Sequence, residues 1–283
     1  MPPEQRSTYL AAEARKHDPD RYLCALFAPA ERRDAVLGLV LFHHELARVP
    51  DVVSQPMAGY IRYQWWRDAL DELTQGRPPR QHPVVAELAS ALQRGWASVD
   101  ALQALIGARE VALEQVDAED LDGLQSYVAS TSGALQALVY AALGGNRPNE
   151  AEGAADLGTS YGLTGIVRAV AQEMRRQRPA LPPALLAEAG VTPREIETGS
   201  MSEGLGRVVD GILVRAETTL TRGRERAGRP PRDLMAAFLP AALAGAYARR
   251  IRRLGGDPVR AAELTRPASA PLVLLARSLL RQP

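Results

Sequence analysis

Between Leu163 and Met174 the chain sets Leu163, Ile166, Val167, Val170 and Met174 three or four residues apart. That interval lines them along one face of a helix. On the rest of the same segment stand Arg168, Ala169, Gln172, Glu173, Arg175, Arg176 and Arg178. Pro179, Pro182 and Pro183 then stop the helix, because proline has no N–H to give and disfavours helix in the residue before it. Similar apolar spacing recurs along most of the chain, broken by proline and glycine, with no strand-like alternation of any length. The pattern predicts an all-α fold.

Helices are predicted over Tyr9–His17, Arg21–Phe27, Ala30–Val49 (ending or kinking at Pro50) and Met57–Thr74. Val84–Trp96 and Ala101–Val116 read as a helical hairpin, followed by a long helix over Leu121–Leu143. Glu150–Gln177 carries the opening segment, and Ala184–Ala189, Leu205–Ala227, Arg232–Leu254 and Leu272–Arg281 complete the series. Short loops and the lack of an internal repeat favour a single domain across residues 1–283. A hydrophobic content of 46% is enough to fill its core.

The net charge of +1 gives no case for a nucleic-acid partner. Cys24 is the sole cysteine, so no intrachain disulfide forms and a reducing cytosol fits. The first twenty residues hold no apolar core of a secretory signal. Val36–Phe42 and Pro271–Ala276 are too short to span a bilayer. A cytoplasmic protein is expected, in at most peripheral contact with the bacterial inner membrane. The segment for such contact is Pro271–Arg281, flanked by Arg266, Arg277 and Arg281. The competing reading packs it onto the domain.

His43, His44 and Glu45 fall short of H-E-x-x-H because position 48 is Arg48. Adjacent helical side chains diverge by about 100°, so the expectation is one buried, hydrogen-bonded histidine and one facing out. Tyr63, Trp65 and Trp66 read as core aromatics. Cys24 lacks an activating neighbour.

Leu163-Thr164-Gly165-Ile166, Arg168, the basic stretch Arg175-Arg176-Arg178 and Leu181-Pro182 together resemble the second aspartate-rich motif of the squalene/phytoene synthase family. Gly165 stands for its asparagine, Ala169 for its first aspartate and Glu173 for its second. Leu41–Asp51 is similar to the family's first motif. Trp66-Arg67 with Leu70, His82-Pro83-Val84, Tyr127 to Gly133, and Leu239-Pro240-Ala241 to Tyr247 resemble further family segments in the same order. The resemblance implies a helical bundle of the trans-isoprenyl diphosphate synthase type with a central cavity. It also implies two carboxylate pairs holding magnesium ions that grip prenyl diphosphates.

Here each pair keeps one carboxylate, Asp51 and Glu173, the candidate metal ligands; Ala47 and Ala169 supply none. Arg48 replaces the first motif's second aspartate. At ~6 Å and an effective dielectric of ~20, an aspartate attracts a magnesium ion by roughly 5 kcal/mol, and an arginine repels it by as much. Arginine can instead hold phosphate directly, which makes Arg48, Arg168, Arg175 and Arg178 the candidate diphosphate ligands.

Phe42 to Leu73, with its F-x-x-E-L-A-x-V-x-D-x-V-S and I-R-x-Q-W-W, is similar to the branch of the family containing mitochondrial complex I assembly factor 6 and its bacterial relatives. That resemblance implies a non-catalytic protein, with an isoprenoid diphosphate and respiratory complex I subunits as its partners. The alternative is an active magnesium-dependent prenyltransferase joining two farnesyl or geranylgeranyl diphosphates head to head in isoprenoid biosynthesis.

Overall fold

A computed structural model describes residues 2–111, 113, 120–176, 181–192, 194–195 and 202–283, and for residues 174 and 175 the backbone alone. The described residues hold helices and no strand. In chain order they are α1 (Pro3–His17), α2 (Pro19–Ala25), α3 (Ala30–Ala47), α4 (Val49–Val52), α5 (Pro56–Thr74), α6 (Pro83–Gln93) and α7 (Val99–Val111). Then come α8 (Leu121–Val128), a π turn at Ala129–Gly133, α9 (Ala134–Ala142), α10 (Pro148–Arg175) and α11 (Pro183–Glu188). Last are α12 (Glu203–Ala227), a 3-10 turn at Arg232–Ala237, α13 (Pro240–Arg253), α14 (Pro258–Ala262) and α15 (Ala270–Leu280).

Local chemistry sets most of these boundaries. Asp18 caps α2 by accepting from the Arg21 N–H, and Pro19 opens its first turn. Ser202 accepts from the Leu205 N–H to cap α12, and Gly228 ends that helix at a positive φ of 58°. Along α3 every residue from Ala35 to His43 is buried, as befits a helix apolar on nearly all sides. Pro50 does break the chain here: α3 stops at Ala47, and Pro50 lies in the first turn of the four-residue α4.

Two sequence expectations change. The predicted helix over Arg232–Leu254 is two elements, because Pro240 starts α13 rather than continuing the 3-10 turn. The helix over Leu121–Leu143 is interrupted by the π turn.

The 28-residue α10 is the axis of the fold, about 42 Å long. Leu163, Val167 and Val170 are fully buried on it, each contributing about 1.5–3 kcal/mol. Its most extensive neighbour is α12, approached so closely that only glycine fits at the seam. A Cβ on Gly153 would lie 2.7 Å from the Ala227 nitrogen, and one on Gly223 2.9 Å from the Asp156 Cβ. Asp156 ties the seam: it takes 2.9 and 2.6 Å hydrogen bonds from the Arg222 guanidinium and one of 2.8 Å from Arg226.

Candidate functional site

Asp51 and Glu173, 122 positions apart in a chain numbered without gaps, are brought together. Asp51 lies on α4 just past the Pro50 break, and Glu173 on the last turn of α10. A single nitrogen, Arg176 Nη1, stands 3.3 Å from Asp51 Oδ1 and 3.3 Å from Glu173 Oε1. All three side chains are partly exposed, so the bridge contributes little stability. Its consequence is chemical, since a positive charge lies between the two candidate metal ligands.

Arg48, at the C-terminus of α3, pairs with Glu45 at 3.2 Å. Arg178 lies outside the described residues, and so does the side chain of Arg175. Arg168 turns to a different place. Its guanidinium stacks over the Tyr247 ring at 3.9 Å, donates to the Leu264 carbonyl at 3.2 Å, and lies 3.9 Å from Asp20.

Asp20 is the centre of the second constellation. It is 5% exposed, in the first turn of α2. Its Oδ2 accepts from the Tyr161 hydroxyl at 3.0 Å and from the Tyr247 hydroxyl at 2.9 Å. Arg266 Nη1 stands 3.7 Å from its other oxygen. Beside it Arg21 donates to Ser132 Oγ at 2.6 Å, pairs with Asp18 at 3.0 Å, and lies 4.6 Å from the Tyr161 ring centre. Burial and the adjacent carboxylates push the Tyr161 and Tyr247 phenols upward, so both remain hydrogen-bond donors. Arginines and phenols converging on one point form an anion site, and the anion in it is the chain's own carboxylate.

His43 is buried, with Nε2 2.8 Å from Arg109 Nη2. A guanidinium only donates, so Nε2 accepts and a neutral ring carries its proton on Nδ1. Burial, then Arg109, holds His43 well below the usual histidine range. His44 departs from expectation. It does not face out, but is half-buried and stacked on His17, ring centres 4.3 Å apart, with its Nε2 lacking a hydrogen bond among the described residues. Tyr63 and Trp66 are core residues, the Tyr63 hydroxyl donating to the Leu46 carbonyl. Burial, then Asp20, pushes the Cys24 thiol well up.

The family model for squalene/phytoene synthase matches residues 14–272. The chain belongs to that family. Complex I assembly factor 6 of Rattus norvegicus is 29% identical over 243 residues, covering 86% of this chain and 73% of that protein. Chloroplastic phytoene synthase 2 of Oryza sativa subsp. japonica is 26% identical, covering 69% of this chain and 50% of that protein. A crystal structure of a dehydrosqualene synthase in complex with ligand superposes with a TM-score of 0.83 over 98% of this chain and 96% of that one, at 15% identity, which establishes the squalene/phytoene synthase fold.

Magnesium, implied by the family resemblance, does not fit what this squalene/phytoene synthase relative presents. Octahedral magnesium is held by carboxylates with phosphate and water oxygens, whereas here a guanidinium stands between the two carboxylates. Among the described residues no three His, Cys, Asp or Glu side chains gather closely enough to hold a metal.

The sequence marked Asp51, Glu173 and Arg168 but not Asp20. That Asp20 turns inward depends on tyrosines 141 and 227 residues away.

Proposed function

We propose that this protein is a non-catalytic member of the squalene/phytoene synthase family that serves in the assembly of respiratory complex I, with the whole chain, residues 1–283, as one domain. The observation that carries the reading is Arg176 between Asp51 and Glu173. A prenyl diphosphate leaves only when its negative charge is neutralised, and here the carboxylates that would gather magnesium for that purpose already share a cation. Asp20 supports the same reading, because it engages Arg168 and Arg266, groups suited to a diphosphate. An isoprenoid diphosphate that binds here does so by displacing that carboxylate. The likeness to complex I assembly factor 6 supports complex I subunits as the macromolecular partner, with the protein in the cytoplasm and in peripheral contact with the inner membrane.

The test is incubation with magnesium and farnesyl or geranylgeranyl diphosphate, following pyrophosphate and lipid product beside an active control enzyme. No release above background is expected. A C30 or C40 product formed at an enzyme-like rate would establish the alternative, a head-to-head prenyltransferase. In the native host, loss of the protein lowers NADH dehydrogenase activity of the membranes; unchanged activity and unchanged complex I content would sink the assembly role.

A further inference from the structure

The C-terminal helix α15 buries one side and leaves the other apolar. Leu274 and Ala270 are buried against Met235, Leu239, Leu243 and Tyr247. Leu272 (71% exposed), Val273, Leu275, Leu279 (56%) and Leu280 are exposed. At about 100° per residue these five span an arc of roughly 160°. Arg277 lies about 40° beyond Val273, at one edge of that arc, and Arg281 follows the helix's last residue as its C-cap.

A cleft of about 510 Å³ opens at this edge, lined by Arg224, Arg229, Arg277 and Arg281 among others. Their hydrogen bonds go to backbone oxygens: Arg224 and Arg277 to Pro283, Arg229 to Leu280, Arg281 to Pro230 and Arg229. Among the described residues none of the four pairs with a carboxylate side chain. Burial, then Arg277 and Arg249, pushes the Arg224 guanidinium downward, as expected for a half-buried cation with other cations beside it.

We infer that the α15 face and the arginine cleft beside it dock on an anionic lipid surface. The helix lies flat with Leu272, Leu275 and Leu279 in the acyl boundary, while Arg224, Arg229, Arg277 and Arg281 receive lipid phosphates. An apolar arc with arginines at its margin is the pattern of an interfacial helix. No helix among the described residues is long and apolar enough to cross a membrane. A second copy is a poor occupant, since a contact between copies through this face would also desolvate arginines that no carboxylate side chain balances.

This inference rests on the peripheral placement proposed above, and vesicle flotation of the full chain separates the two. The wild type is floated with phosphatidylcholine vesicles and with vesicles also containing phosphatidylglycerol. Two variants accompany it, Leu272→Ser/Leu275→Ser/Leu279→Ser and Arg229→Gln/Arg277→Gln, with thermal unfolding confirming that each folds. Expected are binding to the anionic vesicles only, a loss of about tenfold or more in the leucine variant, and about fivefold per arginine removed. Wild-type binding that the leucine variant retains in full would overturn the assignment to α15 and leave peripheral placement standing. Equal binding to neutral vesicles would overturn the role of the arginines. Binding to neither vesicle would overturn both the inference and the placement. A wild-type dimer that the leucine variant converts to monomer would show that a second copy covers the face, overturning the lipid assignment.

Discussion

Asp20→Asn separates the charge of the buried carboxylate from its shape. Asparagine retains an oxygen to accept from the Tyr161 and Tyr247 hydroxyls, but no longer balances Arg168 and Arg266, which stand 3.9 and 3.7 Å from Asp20. Breaking a fully buried pair costs about 3–5 kcal/mol. Here the arginine side chains are 27% and 33% exposed, and solvent screening lowers the expectation to about 2–3 kcal/mol. In a chain of this size that is a fall of roughly 5 °C in Tm. The same change opens the anion site. A phosphate group with two charges, ~5 Å from the Asp20 carboxylate, meets roughly 6–7 kcal/mol of repulsion at an effective dielectric of ~20. Even a quarter of that is about a tenfold effect on affinity. Thermal unfolding with and without pyrophosphate reads both effects. Pyrophosphate should protect Asp20→Asn far more than the wild type. An unchanged Tm with equal protection of both proteins would refute the view that Asp20 acts as the site's resident anion.

Arg176→Gln removes the cation between Asp51 and Glu173, and affinity for magnesium, or for terbium as a luminescent probe, should rise about tenfold after allowance for solvent screening; no gain would remove Arg176 from the argument. His43 is neutral when folded but protonates near ~6.5 when unfolded. The unfolded chain therefore binds more protons at low pH, and its contribution to stability, full above ~6.5, is lost at about 1.4 kcal/mol per pH unit as the pH falls below that. Urea unfolding between pH 7.5 and 5.5 should show a shallower slope for His43→Gln. Two glycines of α10 should respond in opposite directions to alanine. Gly153→Ala forces a Cβ against α12 backbone and should cost about 1–3 kcal/mol, whereas Gly165→Ala enters open space and should stabilise by about 0.8–1 kcal/mol; matching Tm shifts would contradict the packing described.

The long helices were legible because their packing writes itself into residue spacing: Leu163, Val167 and Val170 announce the buried face of α10. Elements too short to show a period, α4 and α14, were invisible, as was the π turn, which depends on backbone hydrogen-bond register. The break at Pro240 was misread because its sequence neighbours are apolar on both sides. In the site, the Glu173–Arg176 pairing follows from i,i+3 geometry. That Asp51 joins it from 125 residues away is a fact of tertiary packing. Asp20 carried no local signal, because its partners are scattered across α10, α13 and the segment between α14 and α15.

The glycine seam between α10 and α12 has a mechanical meaning. With Gly153 and Gly223 in backbone contact and Asp156 clamped by two arginines, the two helices form one stiff beam, and Glu173 rides on its end. Asp51 rides on α4, a single turn attached through the interruption at Arg48 and Pro50. The two carboxylates are thus mounted on parts of very unequal compliance. Glu173 ends a 28-residue helix packed along α12, whereas Asp51 stands on a four-residue turn, so the geometry of the chain around Pro50 sets where the second carboxylate stands relative to the first.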